Sequence, residues 1–241
     1  MNKGSLQVRD MFASIAHRYD LLNRLLSLSL DRYWRYQTVR KLSPSLPDNG
    51  VVLDLCTGTA DLALELSKKF SVLGCDFCHP MLVLGREKVR DKSLENKIQF
   101  VEGDALNLPF SSLSFHAVTI AFGLRNLEDY TRGLSEIYRV LRPGGSFAVL
   151  EFSQPQIPVF RQLYLLYFAR ILPWIGRLVS GQSGPYSYLP ESVKDFPDPE
   201  RVDQMIREAG FVGVNHYSLT FGVVTLHVSY KEDSRVSIGN K

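Results

Sequence analysis

The sequence predicts a doubly wound α/β fold: a mostly parallel seven-stranded sheet ending in an antiparallel hairpin, with helices ahead of it and a helical insertion before its last strands. Three observations predict it. From Val51 to Phe152 short apolar runs alternate with helical patterns across glycine-bearing turns, the order that parallel strands joined by crossover helices require. Further on, the strand patterns Val212–Leu219 and Val223–Tyr230 are separated only by Thr220-Phe221-Gly222, and so short a connection joins antiparallel neighbours. The chain has 241 residues, 45% of them apolar, enough to bury one substantial core.

Residues 5–42 read as helical, with Val8, Met11, Phe12 and Ile15 spaced by three and four. A second apolar set follows at Leu21, Leu22, Leu25, Leu26 and Leu28, then Arg32-Tyr33-Trp34-Arg35-Tyr36, which could meet headgroups or RNA but is read first as a solvated amphipathic face. Pro44, Pro47 and Gly50 mark a loop. Strands are expected at Val51–Leu55, Ser71–Asp76, Ile98–Glu102, Ala117–Ala121 and Ser146–Phe152. Helices are expected at Leu62–Phe70, Met81–Arg90 and Leu127–Leu141, the last stopped by Pro143-Gly144-Gly145. The expected organisation is one domain: residues 5–42 as a lid, 51–152 as the ligand-binding core, 153–200 as a helical substrate region, and 201–231 as a helix and hairpin. Glu232–Lys241 reads as a tail.

Twenty-eight basic against 25 acidic residues leave a net charge of +3, too small for a dedicated nucleic-acid binder. Three cysteines, Cys56, Cys75 and Cys78, do not make a secreted disulfide framework. The polar N-terminus lacks a signal-peptide core, and arginines and Pro173 break the greasiest stretch, 157–180. A cytoplasmic protein is expected, with peripheral contact at the inner membrane face left open.

In an open α/β sheet ligands bind beyond the carboxyl ends of the strands. The first strand runs into Asp54-Leu55-Cys56-Thr57-Gly58-Thr59-Ala60-Asp61, where Gly58 lets a ligand approach the backbone and Thr59 offers a hydroxyl. Neither G-x-G-x-x-G nor G-x-x-x-x-G-K-[ST] is present, which argues against a bound pyrophosphate. Asp76 ends the second strand 22 residues after Asp54, about the interval at which an acid reaches a ribose. Gly103-Asp104-Ala105 ends the third, placing a carboxylate and a backbone N–H where adenine would lie. Three acids at successive strand ends suit an adenosine carrying a positive charge and no phosphates, which describes S-adenosylmethionine (SAM). A parallel sheet finished by an antiparallel hairpin is also the Rossmann-like architecture of class I SAM-dependent methyltransferases.

Cys75-Asp76-Phe77-Cys78 contains C-x-x-C, but no second half of a zinc motif follows, so buried small residues are expected. His17, His116, His216 and His227 have no ligand spacing between them, and no metal is expected.

The fourth strand leads to Ala121-Phe122-Gly123-Leu124-Arg125-Asn126 instead of [DN]-P-P-[YF], and no cysteine follows a proline. Both absences point to a small-molecule acceptor. Tyr19-Asp20-Leu21-Leu22-Asn23-Arg24-Leu25-Leu26-Ser27, running on to Trp34, resembles the first signature of the UbiE/MenG/COQ5 family of quinone-biosynthesis C-methyltransferases. Arg139-Val140-Leu141-Arg142-Pro143-Gly144-Gly145, continuing to Glu151-Phe152-Ser153, resembles its second. The segments 121–126, 188–192 and 226–231 match as well, so the resemblance spans about Val8 to Lys231. Asp31 stands where the family usually has histidine, Arg142 where it has lysine, and Ala60 where it often has glycine.

The resemblance implies SAM-dependent methylation of a ring carbon on a reduced polyprenyl quinone, demethylmenaquinol or a polyprenyl-benzoquinol. An aromatic carbon becomes nucleophilic only when an adjacent hydroxyl ionises, so the enzyme must stabilise a phenolate and later remove the ring proton. Arg125 can supply the cation and Asn126 can orient the hydroxyl or a water; the alternative is a pair that merely starts a helix. Tyr19 and Asn23, four apart, share a helical face that can close over SAM or pack in the core. Ala121, at the end of the fourth strand, completes the expected SAM wall. Ile157, Phe160, Leu163, Tyr164, Leu166, Tyr167, Phe168, Ile171, Leu172 and Trp174 can receive a prenyl tail, meet the membrane, pair two chains in a homodimer or cover the sheet. The competing readings are a methyltransferase for another phenol or lipid, and a non-catalytic scaffold of a quinone-synthesis complex.

Overall fold

The computed structural model describes residues 5–155, 157–166 and 184–233. Seven strands form one sheet: β1 (Val51–Leu55), β2 (Ser71–Asp76), β3 (Ile98–Glu102), β4 (Phe115–Ala121), β5 (Leu141–Phe152), β6 (Val212–Leu219) and β7 (Val224–Tyr230). Their order is β3-β2-β1-β4-β5-β7-β6. The first five pair in parallel, and β7 inserts antiparallel between β5 and β6. This is the expected class I methyltransferase sheet. Strand order reverses between β1 and β4, so the crevice for a ligand opens at their carboxyl ends.

Alternate residues of each strand feed opposite faces. Leu53, Leu55, Val118 and Ile120 join Leu134, Ile137, Val202 and Ile206 in one buried cluster. Val52, Ala117, Ala148 and Leu226 join Leu62, Leu66, Trp34 and Leu42 in another. Burial on both faces is why the central strands are near-continuous apolar runs. The first cluster lies under α5 (Tyr130–Val140) and α8 (Pro199–Glu208), the second under α2 (Leu30–Leu42) and α3 (Asp61–Leu66). Further helices are α1 (Ser5–Leu26), α4 (His79–Asp91), α6 (Pro158–Leu166) and α7 (Gly184–Asp195).

Several boundaries depart from the sequence expectation, each for a local reason. The N-terminal helix is two helices, because Leu28 (φ 52°) and Ser29 (φ 62°) turn left-handed. Ser27 then restarts the chain: its hydroxyl donates to the Asp31 carboxylate at 2.9 Å and accepts the Asp31 N–H at 3.4 Å. In the segment Arg32–Tyr36 the residues Arg32, Tyr33 and Tyr36 are exposed, but Trp34 and Arg35 are buried, so this is not simply a solvated face. The helix expected from Leu127 starts at Tyr130, capped by the Asp129 side chain, which accepts the Arg132 N–H at 2.9 Å. β5 begins five residues early, at Leu141, and carries Pro143-Gly144-Gly145 as an irregularity against β4. Gly145 is required there, since a Cβ would stand 2.7 Å from the Arg142 carbonyl. Of the stretch 157–180, residues 167–180 lie outside the described residues, and with them Tyr167, Phe168, Ile171, Leu172 and Trp174.

Candidate active site

Two adjoining clefts open at the carboxyl ends of the strands. The larger is lined by Tyr19, Gly58, Asp76, Asp104, Ala105, Ala121 and Asn126 from the expected set, together with Phe12, Met81, Leu106 and Glu128. The smaller is lined by Asp54 and Thr59, shares Tyr19, Gly58 and Ala121 with the larger, and adds Arg35 and Asp61. Arg125 lines neither.

The ends of β1 and β4 are strained. Cys56 (φ 56°) follows β1 and Phe122 (φ 59°) follows β4, both in the left-handed region that side chains with a Cβ avoid. Such conformations cost about 1–3 kcal/mol each and persist where surrounding structure enforces them. Here they turn the chain sharply and leave backbone facing the clefts. Gly58 (φ 55°) has nothing within 4 Å of where its Cβ would be, so a ligand can lie directly against it. Ala60 (φ 70°) takes a conformation that suits the glycine more usual at this turn.

Asp76 is 7% exposed and holds the turn together: Oδ2 accepts the Gly58 N–H at 2.8 Å and Oδ1 the Cys78 N–H at 2.9 Å. Burial nevertheless raises its carboxyl to about 6, those backbone donors only partly opposing it. Asp54 is raised to about 6 by burial too, although the Thr57 and Thr119 hydroxyls donate to it at 2.6 and 2.9 Å. Asp54 therefore braces the turn from beneath. Asp104 is exposed at the cleft, one oxygen accepting the Leu106 N–H at 2.9 Å.

These residues fit SAM. A bare glycine backbone, a buried acid at the ribose interval, an open acid with Ala105 beside it, and apolar walls from Phe12, Met81 and Leu106 suit an adenosine. In the smaller cleft the Arg35 guanidinium and the Asp61 carboxylate lie 3.6 Å apart, opposite charges for an amino-acid end. Asp31, at the position where the family usually has histidine, pairs with Arg35 from the other side. The pairing of Arg35 with Asp61 was missed in the sequence because it depends on how α2 packs against α3, whereas Asp31 lies four residues from Arg35 on α2, a spacing the sequence offered.

The helix α1 reaches the same place. Asp20 accepts a hydrogen bond from the Thr59 hydroxyl at 2.6 Å and pairs with Lys88 of α4 at 2.5 Å. Lys88 also contacts Asp61 at 2.7 Å. Tyr19 lines both clefts, its hydroxyl raised above the ordinary tyrosine range by burial. The N-terminal helix is thus latched to the turn after β1 by polar side chains.

The expected catalytic pair separates into two environments. Asn126 faces the larger cleft and accepts a hydrogen bond from the Tyr188 hydroxyl at 2.6 Å. It is not the helix cap, a role taken by Asp129. Arg125 is 7% exposed and committed elsewhere: Nη1 donates to Glu151 Oε1 and to the Phe122 carbonyl, both at 2.6 Å, and Nε to Ser192 at 3.4 Å. The cation expected from the sequence to face a phenolate is thus held by partners of its own. Its charge is matched by Glu151, which ends β5 beside β4. Glu151 was within reach of the strand-end rule that found Asp76 and Asp104, and Tyr188 lies in a segment already matched to the family.

Cys75 and Cys78 are buried, and burial pushes the Cys75 thiol up to about 12. Such thiols are protonated and unreactive, in keeping with the packing role expected of C-x-x-C here.

A sequence profile of the ubiE/COQ5 methyltransferase family matches residues 1–231. Among curated relatives, the demethylmenaquinone methyltransferase of Deinococcus radiodurans is 50% identical over 227 residues, covering 93% of this chain and 92% of that protein. The demethylmenaquinone methyltransferase of Thermus thermophilus is 50% identical over 221 residues, 90% and 98% of the two chains. The ubiquinone/menaquinone biosynthesis C-methyltransferase UbiE of a Geobacter species is 45% identical, covering 93% and 96%. A solved SAM-dependent methyltransferase from Thermotoga maritima superposes with a TM-score of 0.65 at 18% identity, over 92% of this chain and 99% of that one, a likeness of fold. With the family profile matching residues 1–231, the chain belongs to the ubiE/COQ5 methyltransferase family.

Proposed function

We propose that the chain methylates a ring carbon of a reduced polyprenyl quinone with SAM as donor, and that demethylmenaquinol is the acceptor. The observation that carries this reading is the cleft at the strand ends, which Asp76, Asp104 and Asn126 line together. The naphthoquinol is favoured because both relatives at 50% identity are named for it; the benzoquinol of ubiquinone synthesis is the second acceptor to test, since UbiE relatives are named for both.

Asp76 accepts from the ribose diol, while Asp104 and the Ala105 N–H read the adenine. Arg35 and Asp61 take the carboxylate and ammonium of the amino-acid end. When bound, SAM supplies an electrophilic methyl group on a positively charged sulfur. Asn126, oriented by Tyr188, holds the acceptor hydroxyl or the water that removes the ring proton. Arg125 serves as a positioning residue: through the Phe122 carbonyl and Glu151 it fixes the strained turn that presents Asn126. Tyr19 closes the cleft against water, which would otherwise compete for the donor.

The prenyl tail needs an apolar path. Ile157, just before α6, and Val159 and Leu166 on it are exposed, and Phe160 stacks on Phe221 with ring centroids 4.1 Å apart. Leu21, Leu25 and Leu28 are exposed on and after α1. A run of exposed apolar side chains on a protein of this composition marks an interaction surface. Among the described residues no helix is long and apolar enough to cross a membrane, so the contact proposed is peripheral, at a lipid surface that supplies the quinol.

Quinone profiling by mass spectrometry, in cells with and without the gene and with no redundant enzyme, tests the reading. Loss should lead to accumulation of a quinone lacking one methyl group, the ring type being read from its mass. An unchanged quinone pool would refute it.

A further inference from the structure

The spacing of the histidines along the chain suggests no ligand set, yet folding brings two of them to one carboxylate. His216 of β6 and His227 of β7 are direct cross-strand partners, so both side chains stand on the same sheet face. That face is covered by α8, which lowers Asp203 between them. His216 Nδ1 lies 2.7 Å from Asp203 Oδ2, and His227 Nδ1 lies 2.7 Å from Asp203 Oδ1. One potential ligand atom from each residue lies within 4.8 Å of the other two. Asp203 and His227 are buried, at 5% and 2% exposure, while the His216 side chain is 27% exposed and opens the cluster to solvent.

We infer that Asp203, His216 and His227 form a binding site for a first-row divalent cation, with zinc as the best fit. Two imidazole nitrogens and one carboxylate oxygen make a donor set of borderline softness, which suits zinc better than the all-oxygen preferences of calcium or magnesium. A tetrahedral zinc with bonds of about 2.0–2.2 Å holds its ligand atoms roughly 3.4 Å apart. That spacing falls between the 2.7 Å of the two close pairs and the 4.8 Å bound on the triangle, so side-chain rotations suffice. The partly exposed His216 leaves the fourth position for water.

Without the ion each Nδ1 meets its own carboxylate oxygen. Coordination requires each Nδ1 lone pair to turn to the metal, with the ring proton on Nε2. Arg207 lies 3.8 Å from Asp203 Oδ2 and also donates to the Val214 carbonyl at 3.1 Å. Its side chain is half exposed, free to retain the carbonyl while yielding the carboxylate to the cation.

The three ligands come from three elements, and β6 is the edge strand of the sheet. An ion there joins α8 to both strands of the terminal hairpin, a structural clamp remote from the two clefts. The site belongs to this sheet corner and is independent of the acceptor chemistry.

The test is zinc titration of the chelator-stripped full chain by calorimetry, repeated on His216→Ala and His227→Gln, with melting temperature as a second readout. Wild type should bind one zinc per chain and melt higher with it. His216→Ala, which removes a partly exposed ligand and leaves the core intact, should weaken binding by about tenfold or more and abolish the melting shift. His216→Cys, which keeps a zinc ligand, should restore both. No stoichiometric binding by wild type, or equal binding by His216→Ala, would overturn the site; the latter would assign the zinc to other groups such as the cysteines.

Discussion

Arg125, in the turn that follows β4, and Glu151, near the end of the neighbouring β5, form a buried ion pair, Nη1 to Oε1 at 2.6 Å, with side chains 6% and 1% exposed. Glu151 also accepts the Phe152 N–H at 2.9 Å and the Arg125 N–H at 3.3 Å. Removing one partner of such a pair strands the other charge in a low-dielectric site, at a cost of roughly 3–5 kcal/mol. Arg125→Met should destabilise by about that amount in urea unfolding. Adding Glu151→Gln removes the stranded charge and keeps an acceptor for the two backbone donors, so most of the stability should return. Turnover should stay low in both variants, with SAM affinity near normal, because the turn bearing Asn126 is no longer held. Recovery of turnover along with stability would show that Arg125 contributes only to folding.

Gly123 is closed to any side chain. A Cβ there would stand 2.4 Å from the Cys56 Cβ. Gly123→Ala should therefore displace one of the two strained turns, costing about 1–3 kcal/mol and weakening SAM binding. Cys56→Gly removes the opposing carbon at a left-handed position that glycine prefers. The double variant should regain the affinity lost by the alanine alone, measured by calorimetry. Full affinity in Gly123→Ala by itself would contradict the packing.

SAM affinity should depend on pH. Asp54 and Asp76 are both raised from 3.8 to about 6 by burial. The folded chain therefore retains protons that the unfolded chain has released, so the stability linked to them is complete below about 3.8 and is lost as pH rises through about 6. Binding runs the other way, because an ionised Asp76 is the better acceptor for a ribose diol and the more favourable neighbour for a sulfonium. Affinity should rise from pH 5 to 7 and level off above, while apo stability falls over the lower part of that range. An affinity flat from pH 5 to 8 at constant ionic strength would remove Asp76 from the ribose role.

Phe160 and Phe221 should matter at a lipid surface and not in the cofactor cleft. Replacing both with serine removes a stacked pair of which Phe221 is 60% exposed, so stability should change little. Sedimentation with anionic phospholipid vesicles should fall several-fold, while SAM affinity stays the same. Vesicle binding equal to wild type would shift the tail path to another face.

The sheet, its parallel core and its closing hairpin follow from local pattern, since strand periodicity, glycine turns and connection length are properties of neighbouring residues. Strand ends are read the same way, which is why Asp76, Asp104, Ala105 and Gly58 could be chosen before any contact was known. Partners distant in the chain could not be. Arg125 reads in the sequence as a cation for the phenolate because nothing near it announces Glu151, 26 residues on, and only strand pairing makes them neighbours. His216 and His227 have no motif spacing, yet antiparallel register sets them face to face under Asp203. Arg35 and Trp34 looked like a solvated stripe until α2 packed on the sheet and buried them. Local sequence determines which element forms and where it ends, because hydrogen bonding and hydrophobic periodicity act over a few residues. Which charges neutralise one another depends on distances that close only when the sheet and its helices assemble.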